Sequence, residues 1–257
     1  VGSEMCIRDR FEKLVYFLVS LVGYPIKNCM ALILNIETAT PVCSVSLAEN
    51  DHVISLRESS AEKSHAENLI VFIDEILNEQ QLTVSGLDAI AVGKGPGSYT
   101  GLRIGVSTAK GLAYGAKIPL LAVSTLETMV EHALMTIDRD NLPLPLDENT
   151  LLCPMIDARR MEVYMALFDH KGNRIQQDAA MIVDPDAFAM VSQSQTLVSF
   201  GSGAAKCQKL IKAENKRFLD GIYPSALAMS SRSYQLFRNN SFEDIAYFEP
   251  YYLKDFM

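Results

Sequence analysis

Three shortages narrow what this sequence can be. Its five cysteines are Cys6, Cys29, Cys43, Cys153 and Cys207, and no two are close enough to make a Cys-x-x-Cys site. Three sit inside apolar runs, so they read as small core residues of a chain kept in a reducing compartment, the cytoplasm. Positive charge is also short: 23 Lys and Arg against 31 Asp and Glu leave a formal net charge of -8. A surface that acidic repels phosphate backbones, which argues against strong nucleic-acid binding by the chain alone. Long apolar runs are missing as well. Leu14 to Ile26, interrupted by Gly23, falls short of the roughly 20 residues a bilayer span needs, so no membrane role is expected. No short-period repeat or low-complexity tract occurs. What remains, 257 residues with 49% hydrophobic and 21% charged, fits a folded chain of one large domain or two modest ones.

The first stretch reads unlike the rest. Arg8, Arg10 and Lys13 precede the apolar run as in a signal peptide, yet no small-x-small cleavage site follows. The expectation is that Met30 is the native start and that residues 1–29 are a non-native or disordered leader outside the fold. From Met30 the pattern is regular. Leu32 to Ile36, Val42 to Leu47 and Val53 to Leu56 form a meander, the second alternating with period two. Ser64 with Glu67 makes a capping box for a helix to about Gln80. Leu87 to Val92 is a strand, Gly101 to Gly115 a helix and Leu120 to Val123 a strand. Ser124 with Glu127 makes a second capping box, for a helix to about Thr136.

After a polar, proline-bearing linker at 138–150 the order roughly repeats. Strands are expected at Leu151 to Ile156, Glu162 to Phe168, Arg174 to Val183 and Thr196 to Phe200. Helices are expected near Pro185 to Val191, Ala204 to Ala213 and Ser225 to Phe237. The fold class is therefore α/β, two lobes each built as a ribonuclease-H-like βββαβαβα unit, the actin-like plan. The lobes would be 30–137 and 151–246, with a C-terminal segment 247–257 returning to the first.

Chemistry concentrates in Gly93-Lys94-Gly95-Pro96-Gly97-Ser98-Tyr99-Thr100-Gly101. The segment follows a strand and opens a helix, where free N–H groups could cradle a phosphate. It is neither a P-loop nor a dinucleotide fingerprint, because its spacing fits neither. A plain tight turn is the competing reading. Along the helix, Gly101, Gly105 and Ala109 recur on one face. Interior glycines cost roughly 1 kcal/mol each against alanine, so a close helix–helix interface is expected there. Leu69, Ile70, Phe72, Ile73, Ile76 and Leu77 cover more than one stripe of the preceding helix, and a spare stripe would be a partner surface. Burial of that helix on two sides within its own lobe is the alternative. Asp157, Arg159 and Glu162 read as a hairpin turn with a solvated ion pair.

Ile36-Glu37-Thr38-Ala39-Thr40, the segment Gly95 to Gly105, Val123-Ser124-Thr125-Leu126, Ile156-Asp157-Ala158-Arg159, Glu162-Val163-Tyr164 and Glu249-Pro250-Tyr251-Tyr252-Leu253, in that order, resemble the TsaB (YeaZ-like) family. The resemblance covers Met30 to the end. It implies a non-catalytic dimerisation or scaffold subunit for threonylcarbamoyl transfer to tRNA adenosine, acting on the catalytic paralogue TsaD together with the ATPase TsaE. A homodimer through the same helices is also implied, with tRNA met only through the complex. The partner interface would use His65, Leu69, Phe72, Ile73, Ile76, Gly101, Arg103, Gly105, Ala109 and Leu112.

The paralogue's metal site resembles two histidines one helical turn apart. Here His65 stands at the first position and Leu69 at the second, so no metal or other cofactor is expected in this subunit. A vestigial nucleotide site would comprise Glu37, Thr38, Thr40, Gly201 and Gly203. The alternatives from another class are an ATPase or a peptidase in its own right, although no Ser-His-Asp or Cys-His set can be assembled from spacing.

Overall fold

The computed structural model describes residues 30–60, 65–140, 144, 146–184, 188, 191, 194–208 and 215–254. The expected leader 1–29, the expected cap Ser64, part of the expected linker, most of 185–191, and 209–213 of the helix expected from Ala204 lie outside the described residues.

Two five-stranded sheets share one plan. In the first, β1 (Leu32–Glu37), β2 (Cys43–Glu49), β3 (His52–Ser59), β4 (Ala89–Gly95) and β5 (Leu120–Ser124) stand in the order β3-β2-β1-β4-β5. The meander is antiparallel, and β4 and β5 add in parallel. The second holds β6 (Thr150–Asp157), β7 (Glu162–Phe168), β8 (Arg174–Ile182), β9 (Thr196–Phe200) and β10 (Lys216–Leu219) in the order β10-β9-β6-β7-β8. The strand β10 escaped the sequence reading. Each sheet is thus a copy of the other, β6 taking the place of β1, and the fold is the two-lobed actin-like α/β fold. Both sheets belong to one compact unit, Ala31–Met257.

Period-two alternation distributes the core. Leu34 and Ile36 of β1 face α1 (His65–Glu79) and α2 (Tyr99–Ala116), whereas Ile33 and Ala31 face the other side. What covers that other side comes from the far end of the chain. A 3-10 turn, Ala226–Met229, and α5 (Ser230–Arg238) lay Ala226, Met229, Tyr234 and Phe237 on the first sheet. The single helix expected from Ser225 is therefore two pieces. Ser46 Oγ donates to Ala226 O at 2.8 Å and Ala226 N to Ser44 Oγ at 3.0 Å, fixing the turn to β2.

Conversely, α3 (Thr125–Arg139) leaves the first sheet and packs Leu126, Met129, Val130 and Ala133 on Phe168, Val198 and Phe200 of the second. The lobes exchange helices, so the sequence boundary at 137/138 separates the sheets but not their coverings. The short α4 (Ala204–Cys207) covers the opposite face with Phe188. Cys43, Cys153 and Cys207 are buried and free, and burial pushes the Cys43 thiol up to about 11.

Past α5 the chain crosses back onto the first lobe. Leu120 pairs with Glu243, Ile245 and Phe248 join the first core, and Tyr251 N donates to Lys94 O at 2.8 Å.

Candidate functional site

The end of β1 runs directly against the glycine-rich segment. A Cβ on Gly101 would lie 2.1 Å from Thr38 O, and one on Gly93 would lie 2.3 Å from Glu37 Oε2. Gly97 and Gly105 face Ala39 and Thr38 in the same way. Ser98 N donates to Ala39 O at 2.7 Å and Thr38 Oγ1 donates to Gly101 O at 2.8 Å. Ser98 caps α2 by accepting from Gly101 N at 3.3 Å, which starts the helix two residues before the position expected from the sequence. The glycines are therefore accounted for by close approach of the chain's own backbone, and their composition requires no phosphate. Gly95 and Pro96 are buried, Thr100 is exposed, and Tyr99 stacks 5.2 Å from the Tyr252 ring.

Glu37 is fully buried beneath this segment. Its carboxylate accepts from Ala39 N at 2.8 Å and from Thr125 Oγ1 at 3.4 Å. Thr125 Oγ1 in turn accepts from Gly95 N at 3.2 Å. One carboxyl thus joins β1, the glycine segment and the start of α3. Burial raises its pKa to about 7, against the opposing pull of the Ala39 and Thr38 backbone N–H groups and the Thr125 hydroxyl.

The other residues expected at a vestigial nucleotide site are packed among the chain's own residues, with the buried Thr40 hydroxyl lacking a hydrogen-bond partner among the described residues. Thr40 is buried and its carbonyl lies 2.7 Å from His65 Nε2, which donates to it. In the second lobe, Gly203 N donates to Met155 O at 2.9 Å, and a Cβ on Gly201 would meet Met129 Cε at 2.2 Å. These two glycines let the turn after β9 lie on β6.

The expected partner residues divide by face. Leu69, Ile73 and Ile76 are buried in the first lobe's own core, as are Gly101, Gly105 and Ala109. Phe72 and Leu112 are half-buried against the same core. Their small or apolar character serves the packing of α1 and α2 on the sheet, so the chain's own core accounts for these residues. The outward face of α1 instead carries Ile70 and Val71, 55% and 51% exposed. The outward face of α2 carries Ser107, Gly111, Tyr114 and Gly115, with Tyr114 77% exposed. A Cβ on Gly111 or Gly115 would meet nothing within 4 Å. Arg103 is exposed but engaged, 4.2 Å over the Tyr99 ring, with Tyr252 holding its guanidinium above its ordinary range.

Sequence reasoning missed a second polar centre, in a cleft of about 910 Å³ lined by Lys94, Ser124, Glu127, Arg174 and the C-terminal segment. Arg174 reaches from β8 to Ser124 Oγ at 3.2 Å and Glu127 Oε1 at 3.1 Å, and pairs with Asp178. Its guanidinium also lies 4.8 Å over Phe168. Glu127, read as half of a capping box, spends its carboxylate on Arg174 and Arg232, while Ser124 does cap Glu127 N at 3.5 Å. Burial raises the Asp178 carboxyl, and the facing guanidinium offsets only part of this. Around the β6–β7 hairpin, Asp157 pairs with Lys206 and Glu162 with Lys254, so the ion pairs there run to lysines and not to Arg159. No helix among the described residues is long and apolar enough to cross a membrane.

Comparison with known proteins places these features. The family model described as TsaD, tRNA N6-adenosine threonylcarbamoyltransferase, matches residues 57–248. A protein of Escherichia coli K12 named tRNA threonylcarbamoyladenosine biosynthesis protein TsaB is 32% identical over 229 residues, 87% of this chain and 94% of its own length. The Bacillus subtilis protein of the same name is 34% identical over 160 residues, 62% of each chain. Among solved structures, YeaZ from Pseudomonas aeruginosa superposes with a TM-score of 0.72 at 24% identity, over 87% of this chain and 100% of its own, a likeness of fold.

Proposed function

The chain belongs to the TsaB (YeaZ-like) family, and from that premise we propose how it serves tRNA threonylcarbamoyladenosine biosynthesis, the process its relatives are named for. It is the non-catalytic subunit of a cytoplasmic complex. It binds the catalytic paralogue TsaD and activates it for threonylcarbamoyl transfer to the adenosine beside the anticodon. Metal and nucleotide belong to TsaD and to the ATPase TsaE, and the chain meets tRNA only within the complex. A second copy of the chain occupies the same surface when the paralogue is absent.

The outward face of α1 and α2 carries this reading. Two glycines stand there within a helix with open space before them. Each costs roughly 1 kcal/mol against alanine and gains nothing from the chain's own packing. Ile70, Val71 and Tyr114 are exposed on the same two helices. Apolar side chains beside small ones suit the close approach of another protein's helices. The absence of chemistry in this subunit is supported by Glu37, whose carboxylate is spent internally, and by Leu69, which is core where a second ligand would stand.

Co-purification with TsaD tests the surface. Val71→Glu and Gly111→Leu are expected to abolish capture while leaving the isolated chain folded. Capture at wild-type levels by both variants would reject the surface.

A further inference from the structure

The tip of the β6–β7 hairpin holds two consecutive arginines in the left-handed region, Arg159 at φ 68° and Arg160 at φ 49°. L-residues with long side chains avoid that region, and turns that need it normally take glycine or asparagine. Such outliers persist only where the surroundings hold them, and they concentrate at functional positions.

Here the surroundings do hold them. Lys206 Nζ donates to Asp157 Oδ1, to Arg160 O at 2.9 Å and to Glu162 O at 2.7 Å. All three of its protons thus brace the turn from beneath. Asp157 also accepts from Arg159 N at 2.8 Å, and Glu162 N donates to Arg159 O at 3.2 Å.

The charge pattern is equally specific. The two carboxylates of the hairpin are each neutralised by a lysine, Asp157 by Lys206 and Glu162 by Lys254. Among the described residues no carboxylate pairs with the guanidinium of Arg159 or Arg160, and both residues are exposed. On a chain of net charge -8, this leaves a rigid tip presenting two uncompensated guanidinium forks. Such forks match phosphate oxygens bidentately.

We propose that the Arg159–Arg160 tip is an RNA contact that holds phosphates of the tRNA backbone once the chain stands in its complex. The inference rests on the scaffold reading above and adds the surface that meets the RNA. It reconciles an acidic chain with an RNA substrate, because a local basic tip contributes little until a partner supplies the rest of the footprint.

The test titrates fluorescently labelled tRNA into the assembled complex with TsaD at several salt concentrations. It compares wild type with Arg159→Asn combined with Arg160→Gly, residues suited to the same backbone. The expected result is about tenfold weaker binding at low salt and a salt slope shallower by about 1 per arginine removed. Elution of the complex should be unchanged, and the melting temperature of the isolated chain unchanged or higher. Arg159→Lys with Arg160→Lys should restore part of the salt slope.

Unaltered affinity and slope in an intact complex would overturn the inference. A melting temperature lowered by several degrees would do the same, since the arginines would then be structural. Dissociation of the variant complex would make the tip a protein contact and also overturn it. If wild type does not assemble with TsaD, the scaffold reading fails instead. In that case, low-salt titration of the isolated chain decides the tip: binding that vanishes in the variant supports it, and binding that persists in the variant, or no binding by wild type, rejects it.

Discussion

Thr38 and Gly101 meet twice. The Thr38 hydroxyl donates to the Gly101 carbonyl at 2.8 Å, and the Thr38 carbonyl stands 2.1 Å from where a Gly101 Cβ would be. The helix after the glycine segment therefore sits on the end of β1 with no room for a side chain. Gly101→Ala should destabilise the chain by roughly 2–3 kcal/mol, through overpacking against backbone that cannot rotate away. Urea unfolding should show a lowered midpoint with an unchanged slope. An unchanged midpoint would mean that α2 can shift off β1.

Gly111, ten residues on, should behave oppositely. Its Cβ would meet nothing within 4 Å, so Gly111→Ala should stabilise the isolated chain by about 0.5–1 kcal/mol through helix propensity alone. Calorimetry would register this as a rise of a few degrees. A fall would indicate that the position is already in contact within the chain.

Glu37 links stability to pH. Its folded pKa is about 7, raised by burial from an ordinary 4.5. The folded state therefore holds a proton that the unfolded state releases between those values. The sign follows: the contribution is complete below about pH 4.5, is lost as pH rises towards 7, and is flat beyond. Glu37→Gln keeps an acceptor for Ala39 N and cannot ionise. Relative to the variant, wild type should lose about 3 kcal/mol across that window. Denaturation at a series of pH values would reveal it, and a difference independent of pH would contradict the assignment.

Arg174 joins β8 of the second lobe to Ser124 and Glu127 of the segment leaving the first. Arg174→Met should strand the half-buried Asp178 without its cation, while Glu127 keeps Arg232, and cost about 3 kcal/mol. Adding Asp178→Asn should restore part of the loss. Equal melting of single and double variants would show that the pair is not coupled.

Much of this was legible in the sequence, and the limits are physical. Strands such as Thr196–Phe200 were found because their apolar runs are short and bounded, and the repeated strand order gave the duplicated lobes. The glycine segment marked the family. Which face of α1 turned inward was not legible, because Leu69, Ile70, Val71, Phe72 and Ile73 are contiguous and apolar on every side. The small residues of α2 suggested an interface, but a glycine face packs equally well on a strand end, and only the fold placed Thr38 there. The helix exchange between lobes, the Arg174 network and the left-handed arginines depend on contacts far apart in sequence or on backbone angles, which leave no local periodicity.

The central claim, that this chain acts by holding its partner through the outward face of α1 and α2, meets its most direct test in reconstituted tRNA threonylcarbamoylation. TsaD and TsaE would be assayed with no addition, with wild-type chain, and with Val71→Glu, counting modified adenosines by mass spectrometry. The account predicts modification only with the wild-type chain, with Val71→Glu reduced to the level of no addition. Full modification in the absence of the chain, or undiminished modification with Val71→Glu, would contradict it.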